Sequence, residues 1–235
     1  MLSRQALTVF ESIGNDYGVS RTQNHLGLLY LRQKRWDESK KALDDAIQTS
    51  KENGDSFGLM IEYMNYGLLN FGMGKGQETI NWSEKAVNLA RILEDVFSQG
   101  RIRNNVALGY RLEGKYDEAM TILKDVIALC QNHFDVIGTA RAHLNIGEIH
   151  LLQGKQKLGM QHLDIAFETF SQINNADALV EILNFLTDYQ IKYDQIDLAK
   201  ETLSRLESVI ENHHWGEERS KILQQQIRDY QLRLN

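Results

Sequence analysis

Shifted against itself by 40 residues, the chain meets its own pattern five times. Gly27, Gly67, Ala107, Gly147 and Thr187 fall in one column, with Leu26, Tyr66, Val106, Ile146 and Leu186 one residue before them. Twelve residues after the small column come Ser39, Thr79, Ala119, Gly159 and Ala199. Four further on stand Leu43, Ser83, Leu123, Leu163 and Leu203, and three beyond those Ala46, Ala86, Val126, Ala166 and Leu206. The five copies align without insertion. A unit this short cannot bury its apolar face alone, so a chain that repeats in register is held to a stacked array.

Each copy reads as a helical hairpin. Within a copy, apolar and small residues are spaced by three and four, the period of one helix face. The small columns let two helices approach closely. A short polar turn separates the columns within a copy (RQKRWD, GMGKGQ, LEGKYD, LQGKQK, KYDQID), and a second kind separates the copies (KENGDS, LEDV, QNHFD, INNAD, ENHHWGEE). Gly, Asn and Asp there stop and start helices. The 235 residues contain no proline, which favours helix throughout. No strand-like alternation persists.

Two segments, LGLLYLRQKRWDES and ALGYRLEGKYDEA, resemble the tetratricopeptide repeat, and the likeness covers nearly the whole chain. The third copy fits that signature best, through Tyr110, Gly114, Tyr116, Glu118 and Ala119. Two departures stand out: the family's proline at the repeat end is absent, and the period is 40 rather than about 34 residues. The extra residues lengthen each helix by roughly 4–5 Å. Long repeats of this kind resemble those of kinesin light chains and bacterial peptide-sensing regulators. The resemblance implies an all-α right-handed superhelical solenoid of antiparallel helix pairs, five full repeats with half-repeats at both ends.

The expected organisation is one solenoid. Residues 1–17 are the second helix of an incomplete repeat, with Leu2, Ala6, Val9 and Ile13 on its packed face. Repeats follow at 18–57, 58–97, 98–137, 138–177 and 178–216. Residues 217–235 form a capping helix packed through Leu223, Ile227, Tyr230 and Leu234. The capped end and the uncapped beginning suggest a C-terminal part of a longer regulator.

Charge and cysteine content narrow the function. A formal charge of −6 and a pI of about 5.7 argue against nucleic-acid binding. The single cysteine, Cys130, excludes an internal disulfide and suits a reducing, cytoplasmic compartment, with a buried structural role expected. No apolar run is long enough to span a membrane, and no membrane partner is expected. GMGKGQ carries Gly and Lys between helices, with no preceding strand and no following Ser or Thr, so it is a turn and not a phosphate loop. His150, seven residues after His143, sits in the column of Tyr30 and Tyr110 and reads as a packed residue, and His213, His214 and Glu217 as a solvated loop. The Asp37-Glu38 and Asp117-Glu118 pairs sit where a helix N-terminus favours carboxylates. No enzymatic activity, metal or cofactor is expected.

Binding residues are sought on the first helices, which line the concave face in this family. One polar column runs His25, Asn65, Asn105, Asn145, Phe185, beside Asn24, Met64, Asn104, Leu144, Asn184. Asparagine is a mediocre helix former, so its recurrence calls for a reason. Its amide donates and accepts, as a ladder holding an extended peptide backbone must; amides bonded to adjacent helices are the plainer alternative. A second column runs Arg21, Ile61, Arg101, Arg141, Glu181, and a third Leu28, Leu68, Leu108, Glu148, Asp188. The predicted groove is basic early, apolar in the second copy (Ile61, Met64, Leu68, Phe71) and acidic late. The family's clamp for a C-terminal carboxylate is matched only by Asn65 and Arg101, so chaperone-tail binding is not expected. The expected function is a peptide- or protein-binding scaffold or sensor. Alternatives are self-association through the uncapped N-terminal helix and sensing of a small molecule.

Overall fold

A computed structural model describes residues 2–234 and contains, among them, twelve helices and no strand. They are α1 (Leu2–Ser12), α2 (Asp16–Arg32), α3 (Trp36–Glu52), α4 (Ser56–Gly72), α5 (Gly76–Ile92), α6 (Val96–Leu112), α7 (Tyr116–Asn132), α8 (Val136–Leu152), α9 (Gln156–Gln172), α10 (Ala176–Lys192), α11 (Ile196–Glu211) and α12 (Glu217–Leu234). The even-numbered helices from α2 are first helices of a copy and the odd-numbered ones from α3 are second helices. They begin each copy at 16, 56, 96, 136 and 176, two residues before the sequence-read boundaries.

The turns keep a stricter beat than the sequence suggests. A residue with positive φ stands every twenty positions: Gly14, Lys34, Gly54, Gly74, Glu94, Gly114, Phe134, Gly154, Asn174 and Asp194. The two turn kinds, different in composition, therefore share one geometry. In each, the left-handed residue folds the chain back so that the next amide reaches the last turn of the helix. Asp55 N bonds to Ser50 O at 2.9 Å, and Asp135 N to Cys130 O at 2.8 Å.

What alternates is the cap. Before each first helix stands Asn15, Asp55, Asp95 or Asn175, whose side chain accepts from the backbone N–H three residues on. Asp135 does the same for Gly138 N at 3.0 Å. Before the second helices stand Arg35, Lys75, Lys115, Lys155 and Gln195, none of which caps. An Asx cap stabilises a helix by about 1 kcal/mol, so local stabilisation concentrates at the joints between copies.

The small columns act as read. A Cβ on Gly27 would stand 2.8 Å from Leu43 Cδ2, and one on Gly67 2.6 Å from Ser83 Oγ. Ser39 Oγ donates to Gly27 O at 2.8 Å, tying the two columns of a hairpin together.

The chain divides into two compact units, Met1–Asn145 and Ile146–Asn235. In the first, α2 packs on α4 and α4 on α6, whereas no comparable contact joins α3 to α5 or α5 to α7. First helices crowded together with second helices splayed apart curve this unit, concave on the α2–α4–α6 side. Its core holds Leu43, Ile47, Tyr66 and Leu69 at one joint and Met60, Ile80, Val87, Ile102 and Val106 at the next. At its start, Phe10 packs on Gly18, while Val9 and Ile13 are exposed. The side chain of Leu2, which the sequence pattern puts on the packed face, lies outside the described residues. In the second unit, Leu203, Leu206, Leu223, Tyr230 and Leu234 close the core of α10, α11 and α12.

Candidate peptide-binding groove

At 100° per residue, positions 17, 21, 25 and 28 of α2 share a stripe, as do 57, 61, 64 and 68 of α4 and 97, 101, 105 and 108 of α6. The structure leaves these stripes partly open. His25 and Arg101 are exposed, and Arg21, Leu28, Ile61, Met64, Leu68, Asn105 and Leu108 half-buried. They lie on the three neighbouring first helices of the first unit. Arg141, half-buried on α8, also belongs to this unit.

The asparagine ladder is redrawn. Asn65 is buried, and its amide donates to buried Asn24 Oδ1 at 2.8 Å. Asn145 is buried too and donates to Asn104 Oδ1 at 3.2 Å, while Asn104 Nδ2 faces Gly138 O at 3.3 Å. Asn24, Asn65, Asn104 and Asn145 thus join neighbouring copies. The reason is rotational: residues 24 and 25 are adjacent in sequence but 100° apart on the helix, and the two columns point toward each other across a joint. The middle joint, with Met64 in place of asparagine, leaves Asn105 alone at the edge of the stripe.

The late, acidic residues belong to the second unit. Glu148 is buried. Asp188 accepts Tyr230 Oη at 3.0 Å and Arg233 Nη1 at 2.7 Å, so helix α12 uses the charge that the sequence assigned to a ligand. Asn184, half-buried, accepts Tyr230 Oη through its backbone carbonyl at 3.3 Å.

Sequence reasoning missed two features. Tyr17, Phe57 and Phe97, forty residues apart, are all about half-exposed at the rim of the stripe. Arg21 lies between two of them, 4.9 Å from the Tyr17 ring and 5.5 Å from that of Phe57. Their spacing was legible in the repeat. The other is Glu62, buried at a column that holds Thr22, Ile102, Ala142 and Ile182 in the other copies. Ser50 Oγ donates to Glu62 Oε1 at 2.7 Å. Burial, assisted by nearby Asp55, pushes its carboxyl up to about 7, against the pull of the Ser50 hydroxyl and Arg21.

The lone cysteine and three of the histidines are held within the fold. Cys130 is buried, its thiol 4.0 Å from Asp135 Oδ2 and pushed up to about 11 by burial and that carboxylate. Burial also lowers the His143 pKa. His150 is half-buried against His162, and His213 sits between Val209 O and Asn174 Oδ1. Among the described residues no group of three or more His, Cys, Asp or Glu is placed to hold a metal, and no helix is long and apolar enough to cross a membrane.

The tetratricopeptide repeat model matches residues 19–53 and 100–136. Tetratricopeptide repeat protein 29 of Macaca fascicularis is 24% identical over 151 residues, which cover 63% of this chain and 31% of that protein. The chain therefore spans about a third of the length of this curated relative. Aspartyl phosphate phosphatase F from Bacillus subtilis superposes with a TM-score of 0.63 at 16% identity, over 99% of this chain and 67% of that one. BtubC from P. vanneervenii superposes with a TM-score of 0.64 at 12% identity, over 91% of each. At such identities the structural likeness concerns the fold. The two model matches begin 81 residues apart, as do the two asparagine-joined copies within a residue. Paired helices, shared register and these matches agree: two copies of the chain match the tetratricopeptide-repeat model, and the fold is that of tetratricopeptide-type helical arrays.

Proposed function

We propose that the first unit is a non-catalytic binding domain that holds an extended segment of a partner protein along the concave face of α2, α4 and α6. The observation that carries this reading is a continuous stripe of partly exposed apolar side chains, Leu28, Ile61, Met64, Leu68 and Leu108, bracketed by Arg21 and Arg101. Apolar side chains left open on successive helices favour desolvation by a ligand, and the flanking guanidinium groups favour acidic partners and make binding salt-sensitive. Asn105 supplies an amide for the partner backbone. Arg141 extends the basic side. The domain would serve as the sensor or adaptor part of a regulatory protein in the cytoplasm, a setting that suits its lone buried thiol.

The test is selection from a displayed library of random dodecapeptides. The wild type is expected to enrich sequences combining acidic and bulky apolar residues. Their binding should fall at least tenfold on Leu68→Asp or Arg101→Glu and persist on Gln225→Ala. Failure to enrich any sequence, or equal binding by the groove variants, sinks the reading.

A second reading, self-association, has its own observation: Val9 and Ile13 on α1 are 57% and 65% exposed. Light scattering showing a dimer that Val9→Lys with Ile13→Lys converts to monomer would favour it.

A further inference from the structure

On the side of α6 opposite the groove, a pocket of about 240 Å³ opens between α5, α6 and α7. Its walls are Val87, Val106 and Ile122, and its polar lining is Glu84, Asn88, Arg91 and Arg103. Arg101, Asn105 and Leu108 point one way from α6, and Arg103 and Val106 point about 180° away, so this site is separate from the peptide stripe.

The repeat explains why space exists here. Forty residues earlier, the positions of Arg103, Val106 and Ile122 are held by Tyr63, Tyr66 and Trp82. There the rings fill the joint: Tyr66 and Trp82 have centroids 4.2 Å apart, and Tyr63 and Trp82 5.4 Å. Val106 and Ile122, in the same register, hold less side-chain volume than two of those rings. The third ring is replaced by a cation.

That cation is unspent. Arg103 is half-buried yet makes no hydrogen bond or ion pair with another described residue, and neither does Glu84. Arg91 engages only Asn88, at a long 3.5 Å. Two arginines against one glutamate leave the lining net positive above an aliphatic floor. An unpaired guanidinium in a partly dehydrated pocket is suited to a carboxylate.

The geometry points to a binding site for a small organic carboxylate with a branched aliphatic body: the carboxylate on Arg103 and Arg91, the hydrocarbon against Val87, Val106 and Ile122. The probe is 4-methylpentanoate, titrated into the full chain and followed by methyl NMR. Saturable shifts are expected at the Val87, Val106 and Ile122 methyls, with a Kd on the order of 1 mM for so small a ligand. Neutral 4-methylpentanol should shift them far less. Arg103→Gln, which restores the Gln23 residue of the first copy, should weaken binding at least tenfold. Val106→Tyr with Ile122→Trp, which copies the filled joint, should abolish it with helicity unchanged. No saturable shift, equal shifts from the alcohol, or unchanged binding by Arg103→Gln would overturn the proposal; the last arm stands even if the filled variant fails to fold.

Discussion

Asn65 and Asn24, on α4 and α2, share a buried hydrogen bond at 2.8 Å, and Asn145 and Asn104 share its counterpart eighty residues on. Paired amides satisfy each other in a joint where either alone would be buried without a partner. They tie α2 to α4 and α6 to α8, one pair at each of these joints.

Removing one member should therefore cost stability. Asn65→Ala leaves Asn24 Oδ1 buried without its donor, at a cost of about 1–3 kcal/mol. Asn105→Ala, at a half-buried position, should cost less than about 0.5 kcal/mol. Urea denaturation of the two variants checks the ordering. Equal costs would mean that the pair contributes nothing to the joint.

Glu62 should make stability fall as pH rises. Its carboxyl sits at about 7 in the folded chain and 4.5 unfolded. Between these values the unfolded chain ionises while the folded chain stays protonated, so stability is greatest below the lower value and lost through the upper one. The loss approaches, at most, about 3 kcal/mol. Glu62→Gln keeps an acceptor for Ser50 and should flatten this segment of the pH profile. An unchanged slope between pH 5 and 8 in that variant would exclude Glu62 as the cause.

Cys130 should be inert in the folded chain. Its burial and raised pKa leave little thiolate at neutral pH. Labelling by a maleimide should proceed only through unfolding, at a rate that rises with urea. Fast labelling without denaturant would show that the α7–α8 joint opens.

Much of the architecture was legible because steric demands write themselves in residue size. Gly27 and Gly67 must be small where Leu43 and Ser83 approach, whatever else changes. The twenty-residue turn beat was hidden because Gly74, Glu94 and Phe134 share a left-handed φ but no chemistry. The site was harder still. Whether Asn24 or His25 faces solvent depends on one 100° step of helix phase, which a polar column does not reveal. Asp188 looked free because its partner, Arg233, lies 45 residues away on α12. The rim of Tyr17, Phe57 and Phe97 was legible by spacing, but aromatic residues read from sequence as core until their exposure is known.

The most direct test of the binding face is methyl NMR of the chain titrated with a library-selected peptide. The account predicts shifts at Leu28, Ile61, Met64, Leu68 and Leu108, with an undisturbed Asn24–Asn65 pair. Shifts confined instead to the second helices α3, α5 and α7, or to Val9 and Ile13 of α1, would contradict it.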